Sequence, residues 1–265
     1  MDGDTMRRLW FRFVFGALGG TLLLFVILPV GAVVVGGSGH VRSALAAADG
    51  EYATAILRSF WLGGLTALIA LALGVPLGYL LARARFRGRG AIEALMDLPL
   101  AVPHAVAGIA LLGVFGRGGV LGGAYESVTG GAFIGSHVAI VLAMLFVSVP
   151  YAVSSARVAF GAVDERLERV ARVLGAPESA VFSRISLPLA WRGVVAGAVL
   201  VWARAMSEFG AVVMVAYHPM TGSVAVWDAF TSRGPALSSG LAALLLIASL
   251  TTFATLRLSL APRRP

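Results

Sequence analysis

The chain has 265 residues, of which 58% are hydrophobic and only 13% charged, with a formal net charge of +8. A soluble domain carries about 25% charged residues, so this composition excludes an ordinary globular protein and specifies a helical membrane protein with several spans. All 21 basic residues are Arg and there is no Cys, which excludes disulfides, thiol nucleophiles, Cys-based metal sites and any phosphate loop that needs Lys.

A membrane-crossing helix needs about 20 apolar residues. Six segments meet that need or nearly do: 12–35 (with Pro29 inside), 57–82, 99–116, 134–156, 193–217 and 238–258. The first is read as a retained span and not a cleaved leader, because no small-residue cleavage site follows it. Small residues at Gly63, Gly64, Gly74, Gly78, Gly108 and Gly197 would let helices approach closely. With the N-terminus inside, the inner segments hold sixteen arginines, among them Arg263 and Arg264, against four (Arg42, Arg58, Arg117, Arg233) outside. The positive-inside rule then places both termini in the cytoplasm, in a multi-pass protein of the cell membrane. The outer loops are short. Residues 117–133 read as a flexible Gly-rich hairpin, and 218–237 as a loop whose Val224, Trp227 and Phe230 lie at the membrane interface.

Two places depart from this oily background. Arg204 and Glu208 sit near the middle of the fifth span at i, i+4, so they share one helix face. Each charge at the bilayer centre costs about 2.5–3.5 kcal/mol on insertion scales, so the face should point to a cavity or a second subunit. A pore-lining or gating pair and an internal packing salt bridge are both open readings. Ser207 and Phe209 flank Glu208 in the same stretch. His104, at the proline-rich entry Asp97-Leu-Pro99-Leu-Ala-Val-Pro103-His104, is either a pathway residue or simply hydrogen-bonded structure. His40, His137 and His218 are scattered without metal-ligand spacing.

The second place is the charged stretch between the fourth and fifth spans. Val163, Leu167, Val170, Ala171 and Leu174 recur on one face of a helix. Asp164 can cap its start, and Gly175 can take the left-handed conformation that ends it. Pro177 can open a second short helix with Val181, Phe182 and Ile185 as its apolar face, stopped by Pro188. A helix–glycine–helix on the cytoplasmic surface would suit a partner protein.

Gly175, nine residues, then Ile185-Ser-Leu-Pro188 resembles the cytoplasmic signature loop of type I ABC importer permeases: Glu-Ala-Ala, three residues, Gly, nine residues, Ile-x-Leu-Pro. Arg169 stands where that pattern has Glu, Val170 where it has the first Ala, and Ala171 matches; a Glu lies one position earlier, at Glu168. The run from Asp97 to Leu112 is similar to the third-span entry of molybdate, tungstate and sulfate permeases. The run from Trp202 to Ala211, continuing through Ala216-Tyr-His-Pro-Met220, is similar to their fifth span, with the ending closest to the molybdate/tungstate branch.

The resemblance implies an all-α type I importer transmembrane domain over 55–257, after an N-terminal region of 1–54 and before a tail of 258–265. It implies a homodimer joined to two cytoplasmic ATPase subunits, with ATP and Mg²⁺ on those partners and no cofactor or catalysis in this chain. An extracytoplasmic binding protein would deliver an oxyanion, molybdate or tungstate first and sulfate or another small solute as the alternative. Glu168, Arg169, Ala171, Leu174, Gly175, Ala176, Phe182 and Pro188 would seat the coupling element in the ATPase. Arg204, Ser207, Glu208, Phe209 and His104 would belong to the pathway or gate. A rival of another class is a proton-coupled secondary transporter using Glu208; the absence of an inverted repeat speaks against it.

Overall fold

The computed structural model describes residues 3–260, so Arg263 and Arg264 of the expected inner tail lie outside the described residues. Those residues are helical almost throughout. In order they form α1 (Gly3–Ser38), α2 (Val41–Ala46), a 3₁₀ turn, α3 (Glu51–Arg83), α4 (Arg89–Ala101), α5 (His104–Phe115), α6 (Gly122–Thr129) and α7 (His137–Gly161). There follow α8 (Glu165–Val173), α9 (Glu178–Val181), a π turn (Phe182–Ser186), α10 (Leu187–Met206), α11 (Gly210–Val215), α12 (Gly222–Arg233) and α13 (Pro235–Leu260). Five helical stretches among the described residues are long and apolar enough to cross a membrane, or six if the bent pair α4–α5 counts as one.

The centre of the bundle is α3 against α7 and α10, joined by small residues. Gly74 faces Ala152, Gly78 faces Ala156 and the Val153 carbonyl, and Gly193 and Gly197 face Ala159 and Ser155. With no hydrophobic drive between helices inside a lipid phase, such close backbone packing is what holds spans together. A Cβ at Gly78 would stand 2.6 Å from the Ala156 Cβ and 2.9 Å from the Arg157 nitrogen and the Val153 oxygen. Backbone cannot rotate away as a side chain can. Gly78→Leu should therefore cost about 1–3 kcal/mol by overpacking, read as a lower thermal midpoint in detergent. Gly64, expected to serve the same purpose, faces open space. α1 lies along α13, where Gly37 approaches Ser239 and Ala243.

Two expected spans are broken. The segment 99–116 does not run straight: α4 and α5 meet at a bend of 111°. Proline chemistry explains it. Val102, ahead of Pro103, is forced into extended backbone (φ −82°, ψ 127°), and Pro103 itself (φ −56°, ψ 133°) is not helical. α5 alone is 12 residues, about 18 Å, too short to span a bilayer core. The segment 193–217 likewise ends at Met206 and resumes at Gly210. The Glu208 side chain takes the backbone N–H of Ala211 at 2.8 Å, a bond that caps a new helix and competes with continuing the old one.

Three further expectations change. Pro188 does not stop a helix; it sits in the first turn of α10, where a missing N–H needs no partner, with the π turn just before it. Residues 117–133 are not simply a hairpin, for they contain α6, held by Tyr125 edge-on to Phe133 and ended by Gly130 at φ +71°. Residues 218–237 contain α12, whose Val224 is fully buried while Trp227 and Phe230 are exposed.

Candidate functional site

The two helix breaks meet. His104 opens α5, Arg204 lies in the last turn of α10, and Glu208 sits in the link before α11. Gly108 of α5 lies on the Ala211 carbonyl and Met214, and Gly210 lies on His104, so no side chain separates the two half-helices. The Glu208 carboxylate is 1% exposed. Its Oε2 is 2.8 Å from both the Arg204 Nη2 and the His104 Nδ1, while its Oε1 accepts from Ala211. Arg204 Nη2 is also 2.8 Å from the His104 Nδ1. One ring nitrogen cannot donate to Glu208 and accept from Arg204 at once, but with the proton on Nδ1 facing Glu208, Nε2, 3.0 Å from the same Arg204 nitrogen, is left to accept.

Exposure rises across the cluster, from Glu208 through Arg204 (22%) to His104 (46%). The buried acid is thus the anchor and the two nitrogen groups are the face. Ser207 is exposed beside them, its hydroxyl donating to the Arg204 carbonyl at 3.1 Å. Phe209 turns the other way, against Trp227, and helps line a cavity of about 360 Å³ with Ser223, Val226, Phe230 and Ser238. Four of the five pathway candidates therefore share one place and Phe209 does not. The contact between His104 and Glu208 was not legible from the sequence; the only signal was the proline pair that breaks the chain just before His104.

At the arginine-rich end of the bundle the first helix and its glycine stop form as expected, whereas the second, α9, runs on through the π turn into α10. Asp164 caps α8, its carboxylate accepting the Arg166 N–H at 2.9 Å. Gly175 at φ +86° closes it: its N–H reaches the Arg172 carbonyl and the Ala176 N–H the Ala171 carbonyl, each at 3.0 Å. The apolar face divides in two, however. Leu167, Val170, Val173 and Leu174 are exposed. Val181 is fully buried, and Phe182 packs on Tyr79 and Phe160 inside the bundle. Arg169 is exposed and pairs with Glu165, Ala171 and Ala176 are half-buried, and Pro188 is exposed.

Glu168 also points inward. Arg83 Nε donates to both its oxygens, at 2.9 and 3.0 Å, and the Ser186 hydroxyl donates to Oε1 at 2.8 Å. Burial pushes this carboxyl up, but the hydrogen bonds from Arg83 and Ser186 and the charges of Arg83 and Arg172 outweigh it, so it titrates below the usual carboxylate range. Neither Arg83 nor Ser186 stood out in the sequence.

The opposite end holds a third polar group. Asp228 of α12 accepts hydroxyls from Tyr52 of α3 and from Tyr217, both at 2.7 Å. Burial raises its carboxyl, and the Tyr217 and Tyr52 hydroxyls more than offset that, leaving it lowered.

Helix order, paired breaks and a buried charge cluster define a multi-pass membrane permease. The chain belongs to the family of binding-protein-dependent transport system inner membrane components, which it matches over residues 74–263. It is 40% identical over 253 residues to the molybdate/tungstate transport system permease protein WtpB of Thermococcus kodakarensis, covering 95% of this chain and 97% of that one. Its fold is that of a bacterial ABC transporter that imports the acidic polysaccharide alginate, with a TM-score of 0.74 at 14% identity over 97% of both chains. The same fold recurs, at TM-score 0.72 and 14% identity over 97% of this chain and 94% of the other, in an alginate transporter in complex with an alginate pentasaccharide-bound periplasmic protein.

Proposed function

We propose that this chain forms the translocation pathway of an ATP-driven importer for a tetrahedral oxyanion, molybdate or tungstate. Two copies would pair with each other and with two cytoplasmic ATPase subunits, and an extracytoplasmic binding protein would deliver the anion. The observation that carries the reading is the 40% identity, along almost the whole chain, to a molybdate/tungstate permease. The charge cluster fits it. Arg204 and His104 present nitrogen donors, while Glu208 behind them supplies the compensating charge that allows an arginine within the membrane. The arginine-rich end would be cytoplasmic, with both termini on that side. There the exposed Leu167, Val170, Val173 and Leu174 offer an apolar row for the ATPase to cover. Rigid-body motion of the paired subunits would alternate access to the cluster.

Reconstitution with an ATPase subunit and an extracytoplasmic binding protein co-isolated with the chain from native membranes tests the reading. ATP-dependent uptake of molybdate and tungstate, with sulfate at a clear disadvantage, is expected. Uptake that needs no ATPase would overturn it in favour of a secondary transporter, and preference for sulfate would move the chain to the neighbouring branch.

A further inference from the structure

We propose that Arg83, Glu168 and Ser186 form the joint through which motion of α8 reaches the charge cluster; the inference rests on the reading of α8 as the ATPase-facing element. Glu168 is the buried residue of α8, and the other residues of the helix are half-buried or exposed. A helix whose apolar side chains point outward has little packing to hold it to its own bundle. Its attachment is therefore polar: the buried Glu168 binds Arg83 and Ser186, and at the surface Arg172 binds Glu178 of α9. Arg83 is the last residue of α3, and besides gripping Glu168 it donates through Nη2 to the Val163 carbonyl at 3.0 Å, just ahead of α8. Ser186 closes the π turn, and the next residue opens α10. One carboxylate thus ties the ends of α3, α8 and α10 together.

The geometry beyond the joint gives it a task. α10 runs 20 residues from Leu187 to Met206, a rod of about 30 Å. Its far end carries Arg204 and lies against Glu208 and His104. Displacing α8 must therefore either break the hydrogen bonds at Glu168 or move α10 with it. Breaking them strands a buried carboxylate, which is the costly course. Moving α10 shifts Arg204 relative to His104 on α5, a different half-helix. The bonds at Glu168 are thus built to carry load, and Arg83 and Ser186 are positioning residues for coupling.

The test uses the complete reconstituted transporter with its ATPase and binding protein. Three quantities are read: ATPase retained on purification, thermal midpoint, and ATP hydrolysed per oxyanion imported. Arg83→Met should raise the ATP cost per anion about tenfold and Ser186→Ala about fivefold, within the usual range for coupling between two sites, with the ATPase still attached. Ser186→Thr, which keeps the hydroxyl, should restore the ratio. Should Arg83→Met fail to fold, Ser186→Ala carries the test alone. An unchanged ratio in Ser186→Ala overturns the joint. So does a loss of uptake that merely follows loss of folded protein, or one that Ser186→Thr does not reverse. If the unsubstituted chain retains no ATPase, the fault lies with the reading of α8 and not with the joint.

Discussion

Replacing Glu208 by alanine should abolish uptake and lower stability by about 3 kcal/mol, because it leaves Arg204 without its buried counter-charge. The change removes three interactions: the ion pair with Arg204, the contact with His104, and the cap on the Ala211 N–H. Glu208→Gln separates them. A glutamine oxygen can still accept from Ala211, so the break between α10 and α11 should hold and the thermal midpoint should fall less than for alanine. Yet the carboxylate that balances Arg204 is gone, and Arg204 is then free to hold the anion too well. Uptake by Glu208→Gln should therefore fail even though the protein folds, measured as ATP-driven oxyanion import into proteoliposomes. Import at the unsubstituted rate would reduce the cluster to a packing salt bridge.

The same residues show where sequence reasoning reached and where it stopped. Arg204 and Glu208 could be paired from spacing alone, since i, i+4 residues share a helix face. That the helix would end at Met206, between the two, was not legible, because hydropathy averages over a window and does not register one side chain competing for one N–H. His104 lies 104 residues from Glu208, a separation no local periodicity can bridge. Pro99 and Pro103 marked an irregular start but not a bend, whose angle depends on the packing of α5 against α11. At the other end, Asp164 and Gly175 were legible because capping is local chemistry. Glu168 was not. Helical periodicity sets it among arginines on the polar side of α8, and only the arrival of Arg83 from the end of α3 turns that side into an interior.

The apolar row on α8 leads to the second large effect. Leu174→Asp should abolish retention of the ATPase while leaving the thermal midpoint of the permease unchanged. Leu174 is 81% exposed and Val173 86%, so neither contributes packing energy to its own chain. A leucine side chain moved from water into an interface contributes about 1.5–3 kcal/mol, which is at least a tenfold change in affinity. An aspartate there would add the cost of desolvating a charge. Gly175 supplies the control. A Cβ at Gly175 meets nothing within 4 Å, but φ is +86°, so Gly175→Val costs about 1–2 kcal/mol in backbone strain alone. That strain falls on the turn that sets the angle between α8 and α9. Retention should be lost in Leu174→Asp and weakened in Gly175→Val, but only Gly175→Val should also lower the thermal midpoint. If the ATPase stays bound to Leu174→Asp, the row is not the contact. The docking surface must then lie among the arginines beside it, where pairing with Glu165 and Glu178 already holds Arg169 and Arg172 in place.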